Sequence, residues 1–466
     1  MTTTAKALSL KSNLLYQVAK YAWEGTLYQK NQEITDLLHE EYKDHYTRKQ
    51  VANQIRIAMG LPPHDSEQIT GENDEEALMG LSYEPVWVTD SSICQKCDKE
   101  HRDCIAACDA HAISADSEGH IIIDKEKCLG DGHCVQACNF GALAENSQFV
   151  PLIKLLKETK DPIYASIAPA FAGQFGENVT AGKLRSALKK IGFTEVVETA
   201  LYADLLTMKE ALEFDEHVKD EHDFLITSCC CPVWIKLIEN KYPELVEKIS
   251  PSVSPMIASG RIIKKFEPNA KVVFIGPCIA KKQEIMLPEL KGAIDFVLTF
   301  KELNAIFEAA GVNPVEEADH ENAQASWGGR VYGRTGGVSG AVAATVERLV
   351  PKKVQKLRSL KVDGVLEIQK LLEQLKTSGL KNANFIEGMA CKGGCVGGPG
   401  RLITPEAGTN QVNQYGDASV AKTPVENPEV YTILARFGHS HTDTVPPLTG
   451  ESPISQLLGR HLGPNK

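Results

Sequence analysis

The chain reads as a mainly parallel α/β domain, preceded by a small cysteine-rich α+β domain and an N-terminal helical segment. Three observations predict this. Beyond residue 150, short β-branched runs alternate with helical stretches, the pattern of parallel strands joined by crossover helices. Seven of the 13 cysteines fall between Cys94 and Cys138 in two related runs, and the other six lie in three later segments. The first 93 residues hold no cysteine, and their apolar residues recur at helical spacing. The expected divisions are 1–85, 86–148, 149–440 and a tail, 441–466.

A chain of 466 residues is long enough for two or three domains with buried cores. Its net charge of −11 disfavours a large phosphate-binding surface, and no apolar run is long enough to span a bilayer. Neither nucleic acid nor a membrane is therefore an expected partner. The N-terminus lacks a continuous apolar stretch of the secretory kind, so a reducing cytoplasm is expected and the cysteines call for a reading other than disulfides.

In the N-terminal segment Leu14, Val18, Tyr21 and Ala22, then Val51, Ile55, Ile57 and Leu61 ahead of Pro62 and Pro63, predict a small helical bundle. The basic stretch from Thr47 to Arg56 fits a solvated helix face better than a DNA-contacting one. Asp65 to Glu76 reads as an acidic linker.

The next segment repeats itself: Cys94-x2-Cys97-x6-Cys104-x3-Cys108, then Cys128-x2-Asp131-x2-Cys134-x3-Cys138. Tandem spacing of this kind points to iron–sulfur ligation rather than zinc. The segment resembles a bacterial two-cluster ferredoxin domain, in which the fourth cysteine of each run crosses to the other cluster. The resemblance implies one 4Fe-4S cluster on Cys94, Cys97, Cys104 and Cys138, and a second on Cys128, Asp131, Cys134 and Cys108. Two departures stand out: four extra residues separate Cys97 from Cys104, and Asp131 holds the place of a cysteine. Asp131 either ligates iron as a hard oxygen donor or leaves a 3Fe-4S cluster with a vacant corner; His133 is a second candidate ligand. The plainer alternative is that Asp131 caps the turn between Gly130 and Gly132. Its register with Cys97 favours the ligand.

In the α/β region the strands are expected at 164–168, 195–198, 224–226, 272–275 and 295–298, with helices at 182–191 and 203–216. Three cysteine segments follow β-like runs: 225–234 with Cys229, Cys230 and Cys231; 276–284 with Cys278; and 387–398 with Cys391 and Cys395. Loops at the C-terminal ends of parallel strands are where such sheets build their sites, so the three are expected to converge. The glycine-rich turn 333–340 lacks the Gly-Lys-Ser/Thr ending of a phosphate loop, and close packing against a cofactor is its expected role. Residues 400–466 look like a wrapping tail with a short helix at 430–437.

Together the three loops resemble the signature motifs of the iron-only, or FeFe, hydrogenases, over about residues 90 to 440. The triple cysteine before Pro232 resembles a divergent subgroup. That family's active site is the H-cluster, a 4Fe-4S cubane joined through a cysteine sulfur to a two-iron unit with carbon monoxide, cyanide and a bridging azadithiolate. Anchored on Pro232, Val233 and Trp234, the resemblance implies Cys231, Cys278, Cys391 and Cys395 as cubane ligands, Cys395 bridging to the two-iron unit. Cys230 is then the proton-relay thiol, and Glu210, Glu213 and Ser250 match the acid and hydroxyl positions of the proton route. Anchoring on Thr227 and Ser228 instead shifts the ligand and relay roles one residue earlier. Lys281 is expected to donate to a cyanide, and Met389 and Pro232 to pack against the two-iron unit; a surface ion pair between Lys281 and Glu284 is the plainer alternative.

Heterolysis of hydrogen needs a base for the proton and a route for each product, which these residues would provide. Gly276, Met256 and Ala170 depart from the methionine, glutamine and serine common at those positions, and His217 replaces an arginine at the outer end of the route. Implied partners are hydrogen and protons, a ferredoxin-like electron carrier and the proteins that mature the H-cluster. An iron–sulfur assembly protein and a hydrogen sensor are the competing functions.

Overall fold

A computed structural model of the chain describes residues 3–64, 84–97, 102–227, 230–320, 322–380, 382–439 and 448–462. The expected acidic linker, Ser228 and Cys229 lie outside the described residues.

Three helices, Thr3–Glu24, Asn31–Tyr42 and Arg48–Ala58, form the N-terminal bundle, closed by Leu14, Val18, Ile34, Leu38, Val51 and Ile55. Thr47 and Gln50 cap the third helix reciprocally, satisfying two N–H groups that would otherwise lack partners. The basic face expected there to be solvated is partly internal. Arg56 is buried and donates to the Pro62 carbonyl at 2.8 Å, and Arg48 pairs with Asp36 at 2.9 Å.

The cysteine repeat folds around two antiparallel pairs, β1 (Val86–Val88) with β4 (Leu143–Glu145), and β2 (Ile113–Ala115) with β3 (Ile121–Ile123). The N-terminal bundle grips this module: Lys11 Nζ donates to the carbonyls of Val135 and Cys138 at 3.0 and 3.1 Å, and the Tyr46 hydroxyl to that of Phe140 at 3.0 Å.

Two parallel sheets form the rest. One contains β5 (Ile163–Ile167), β6 (Glu195–Glu198), β8 (Lys271–Ile275) and β9 (Phe296–Leu298) in the order β6-β5-β8-β9. The other contains β7 (Leu225–Ile226), β10 (Ser359–Asp363) and β11 (Phe385–Met389) in the order β10-β11-β7. The helix Thr199–His217 begins directly at the end of β6, earlier than the expected 203, and every residue from Thr199 to Phe214 is buried. Its charged residues are accordingly partnered. Asp204 accepts from the Ser326 amide and hydroxyl and from Asn427, while Glu198, just before the helix, pairs with Arg330 at 2.9 Å. Gly329 permits this packing, since a Cβ there would lie 2.1 Å from the Ala200 carbonyl.

The cysteine module is fastened to the sheets by Lys282, which reaches the Asn146 carbonyl at 2.7 Å and Glu302 at 2.8 Å with both side chains buried. The described part of the tail, 448–462, packs its helix Pro453–Leu458 against the helix Pro255–Phe266, and Arg460 N donates to Pro251 O at 2.9 Å.

Candidate active site

The three cysteine loops meet in one cavity between the sheets. Leaving β7, the chain runs through Thr227 to Cys231 and enters the helix Pro232–Lys241, where a proline at the first position has no N–H to lose. Trp234 closes this loop by donating from Nε1 to the Thr227 carbonyl at 2.8 Å. Its ring lies against Gly388 of β11, where a Cβ would sit 2.6 Å from it, so a glycine is required for the first and third loops to meet. The second and third loops meet in the same way: a Cβ on Gly398 would be 2.5 Å from the Pro277 carbonyl.

Cys230, Cys231, Cys278, Cys391 and Cys395 all line the cavity, with Pro232, Met256, Phe274, Lys281 and Met389. Burial pushes the ligand-candidate thiols up, Cys278 to about 12 and Cys395 to about 11, with Cys231 and Cys391 raised in the same direction. Thiols so placed are converted to thiolates by a metal, whose charge replaces the water they have lost. The residues therefore fit an iron–sulfur group. Phe274 accounts for the departure at Gly276: its ring would be 2.8 Å from a Cβ there, so Phe274 supplies the bulk of that wall.

Lys281 and Glu284 do form an ion pair, at 2.6 Å, but in the interior rather than at the surface. Burial opposes the lysine's charge, yet Glu284, Cys278 and Cys230 together hold its proton more tightly than usual. The glycine-rich turn 333–340 has two uses. Gly333 lines the cavity, while the amides of Gly336 and Ser339 hold the Glu387 carboxylate at 2.7 and 2.8 Å. The group held at this helix start is a protein carboxyl, whose proton affinity burial raises.

Towards the surface, Ser250 donates to Glu213 at 2.6 Å and lies 3.0 Å from the Ser252 hydroxyl. Thr227 donates to Glu210. Lys209, a residue the motifs did not point to, donates to Glu213 and, at 2.9 Å, to Ser252. Its i,i+4 spacing to Glu213 is readable in the sequence, but a helix buried on every side shows no face by which to choose it. Lys209, Glu213, Glu216 and His217 line a surface pocket of about 810 Å³, so the network reaches solvent.

In the small domain Cys138, Cys94 and Cys97 all lie near enough to Cys104 to raise its proton affinity, which burial takes to about 11. Cys134 feels Asp131, Cys128 and Cys108 in the same way. Asp131 caps its turn, accepting from His133 N at 3.1 Å, and also lines the cysteine-lined cavity. Gly132 packs against Ile279 and Pro399, and Lys236 Nζ holds the Cys128 carbonyl at 2.8 Å. The Asp131 group is thus the inner one, beside the cavity, and the Cys94 group the outer.

A parallel α/β scaffold with a cysteine-lined apolar cavity, joined to a module of paired cysteine groups, defines an iron–sulfur protein of the hydrogenase type. The family described as iron only hydrogenase large subunit, C-terminal domain, matches residues 161–399, more than half of the chain, and the chain belongs to it. The periplasmic Fe hydrogenase large subunit of Nitratidesulfovibrio vulgaris is 32% identical over 364 residues, covering 61% of this chain and 86% of that protein. Iron hydrogenase 1 of Clostridium pasteurianum is 28% identical over 326 residues, 61% of this chain and 55% of the relative. Cytosolic iron-sulfur assembly component 3 of Mus musculus is 24% identical over 365 residues, 65% of this chain and 76% of that protein. The solved FeFe-hydrogenase HydA1 of Chlamydomonas reinhardtii shares the fold, with a TM-score of 0.55 at 21% identity over 68% of this chain and 99% of that one. Among the described residues no helix is long and apolar enough to cross a membrane.

Proposed function

We propose that the protein is an FeFe hydrogenase interconverting hydrogen with protons and electrons. The observation that carries this reading is the meeting of five cysteines with Lys281 and Met389 in one apolar cavity, close to a buried carboxylate and hydroxyl network that opens to the surface. Cys231, Cys278, Cys391 and Cys395 would hold the cubane of an H-cluster, and Lys281, Met389 and Pro232 would orient its two-iron unit. When bound, that group supplies the centre at which the H–H bond is broken or made.

The chain's own residues serve that chemistry. Cys230 holds and passes a proton at its sulfur, and Glu210, Ser250 and Glu213 carry it outward at their carboxylate and hydroxyl oxygens. The apolar wall excludes water, which strengthens the field of Lys281 at the site. The Asp131 and Cys94 groups would hold two ferredoxin-type clusters that pass electrons to an external, ferredoxin-like carrier in the cytoplasm. Maturation proteins would insert the two-iron unit.

Relatives that include an iron–sulfur assembly component favour a second reading, in which the chain handles clusters without hydrogen chemistry. An assembly role needs the cubane cysteines but neither Cys230 nor Lys281. Infrared spectra of the matured protein, with hydrogen evolution from a reduced viologen, separate the two. Carbon monoxide and cyanide bands with turnover support the hydrogenase; a cubane with neither supports assembly.

A further inference from the structure

We propose that Arg102 is an electrostatic partner of the outer iron–sulfur cluster, raising its reduction potential. The inference rests on the reading that Cys94, Cys97, Cys104 and Cys138 hold a cluster, and concerns how this chain tunes it.

The two cysteine runs differ where Arg102 lies. Six residues separate Cys97 from Cys104, against two between Asp131 and Cys134, and the longer connection delivers Arg102 immediately before the short helix Asp103–Ala106. The side chain is then drawn inside. Arg102 is 7% exposed, and its terminal Nη2 lies 2.8 Å from where a Cβ on Gly119 would be, beneath the turn joining β2 to β3. Among the described residues its Nε and Nη1 are buried without a hydrogen-bond partner, and no carboxylate is in ion-pair contact with it. Its charge reaches the sulfurs of Cys94 and Cys97, where Asp90 and Asp103 act against it.

Such an arrangement is costly unless something anionic completes it. A guanidinium does not shed its proton to escape burial, and buried N–H groups of this kind require acceptors. A thiolate-ligated iron–sulfur cluster offers both an overall negative charge and acceptor sulfurs. Nearby charge and hydrogen bonds to sulfur are among the factors that set a cluster's potential. One-electron reduction adds one further negative charge, so a fixed cation beside the cluster stabilises the reduced form. The inner group has both the carboxylate of Asp131 and the ammonium of Lys236 beside it.

The full chain, reconstituted anaerobically with iron and sulfide, is titrated potentiometrically under electron paramagnetic resonance, with Cys94→Ala identifying the outer signal by its loss. Arg102→Gln is expected to keep that signal at full spin count but make reduction at least tenfold less favourable, about 59 mV for one electron. Arg102→Lys, which restores a cation, is expected to recover most of the difference, and the inner cluster is expected to be unchanged. An unaltered potential at full cluster content in Arg102→Gln overturns the proposal. So does loss of the outer cluster in both variants, which would make Arg102 an assembly residue. Failure of the wild type to load a cluster sensitive to Cys94→Ala would instead overturn the two-cluster reading beneath it.

Discussion

Glu213 is where structure and proposed function can be separated most cleanly. One carboxylate oxygen accepts from Lys209 and the other from Ser250, and the side chains of Lys209 and Glu213 are each 4% exposed. Glu213→Gln keeps the shape but leaves the ammonium of Lys209 buried without its counter-charge. Removing one partner of a buried pair costs roughly 3–5 kcal/mol, whereas replacing both is close to neutral. The single variant should therefore be destabilised by about that amount, and Lys209→Met combined with Glu213→Gln should recover most of it. Proton transfer responds differently, because an amide cannot serve as a carrier in either variant. Loss of one acid–base station lowers turnover by about 10²–10⁴-fold. Denaturant unfolding of the cluster-free protein measures the first effect. Hydrogen evolution, corrected for infrared band intensity, measures the second. A double variant that is stable and turns over like the wild type would show that Glu213 is only a structural counter-ion, and the proposed route would be wrong.

Cys230→Ala is expected to keep the carbon monoxide and cyanide bands and lose most turnover, while Cys231→Ala loses the cofactor; if Cys230→Ala instead loses the cofactor, the assigned roles shift by one residue. Asp131→Cys should make the inner cluster resistant to conversion to a 3Fe-4S form under brief ferricyanide treatment and change its potential, leaving the infrared bands of the H-cluster in place. No 3Fe-4S signal in the wild type, with the same potential in the variant, would leave Asp131 as the turn cap seen in the structure. Asp204 contributes a pH dependence of stability. Burial raises its value to about 6, against the hydrogen bonds from Ser326 and Asn427. The folded state then holds the proton more tightly than the unfolded one, so this contribution is fully present below about pH 4 and is lost as pH rises to about 6. The loss amounts to about 3 kcal/mol, and Asp204→Asn should lack that part of the slope in unfolding curves across this range.

Much of the architecture was legible because it is written in local spacing. Alternating β-branched runs and helical stretches predict parallel sheets, and the cysteine intervals predict the paired groups that the structure brings together. Proline after Cys231 and glycine near Cys391 and Cys395 mark the loop ends on which the cavity is built. The sequence by itself thus determined the class of fold, the chemistry of the donors and the segments that carry them. Only the tertiary structure decided that Asp131 faces the cavity as well as its own turn, that Lys281 and Glu284 pair in the interior, and that Glu387 occupies the anion site of the glycine-rich turn. It also brought Lys209 into the hydrogen-bond network of Glu213 and Ser250 through Ser252. These contacts join residues that are distant in the chain, or lie on a helix buried on all sides, where periodicity distinguishes no face. Spacing along a chain records what one element can present, and the partner it meets depends on how separate elements pack.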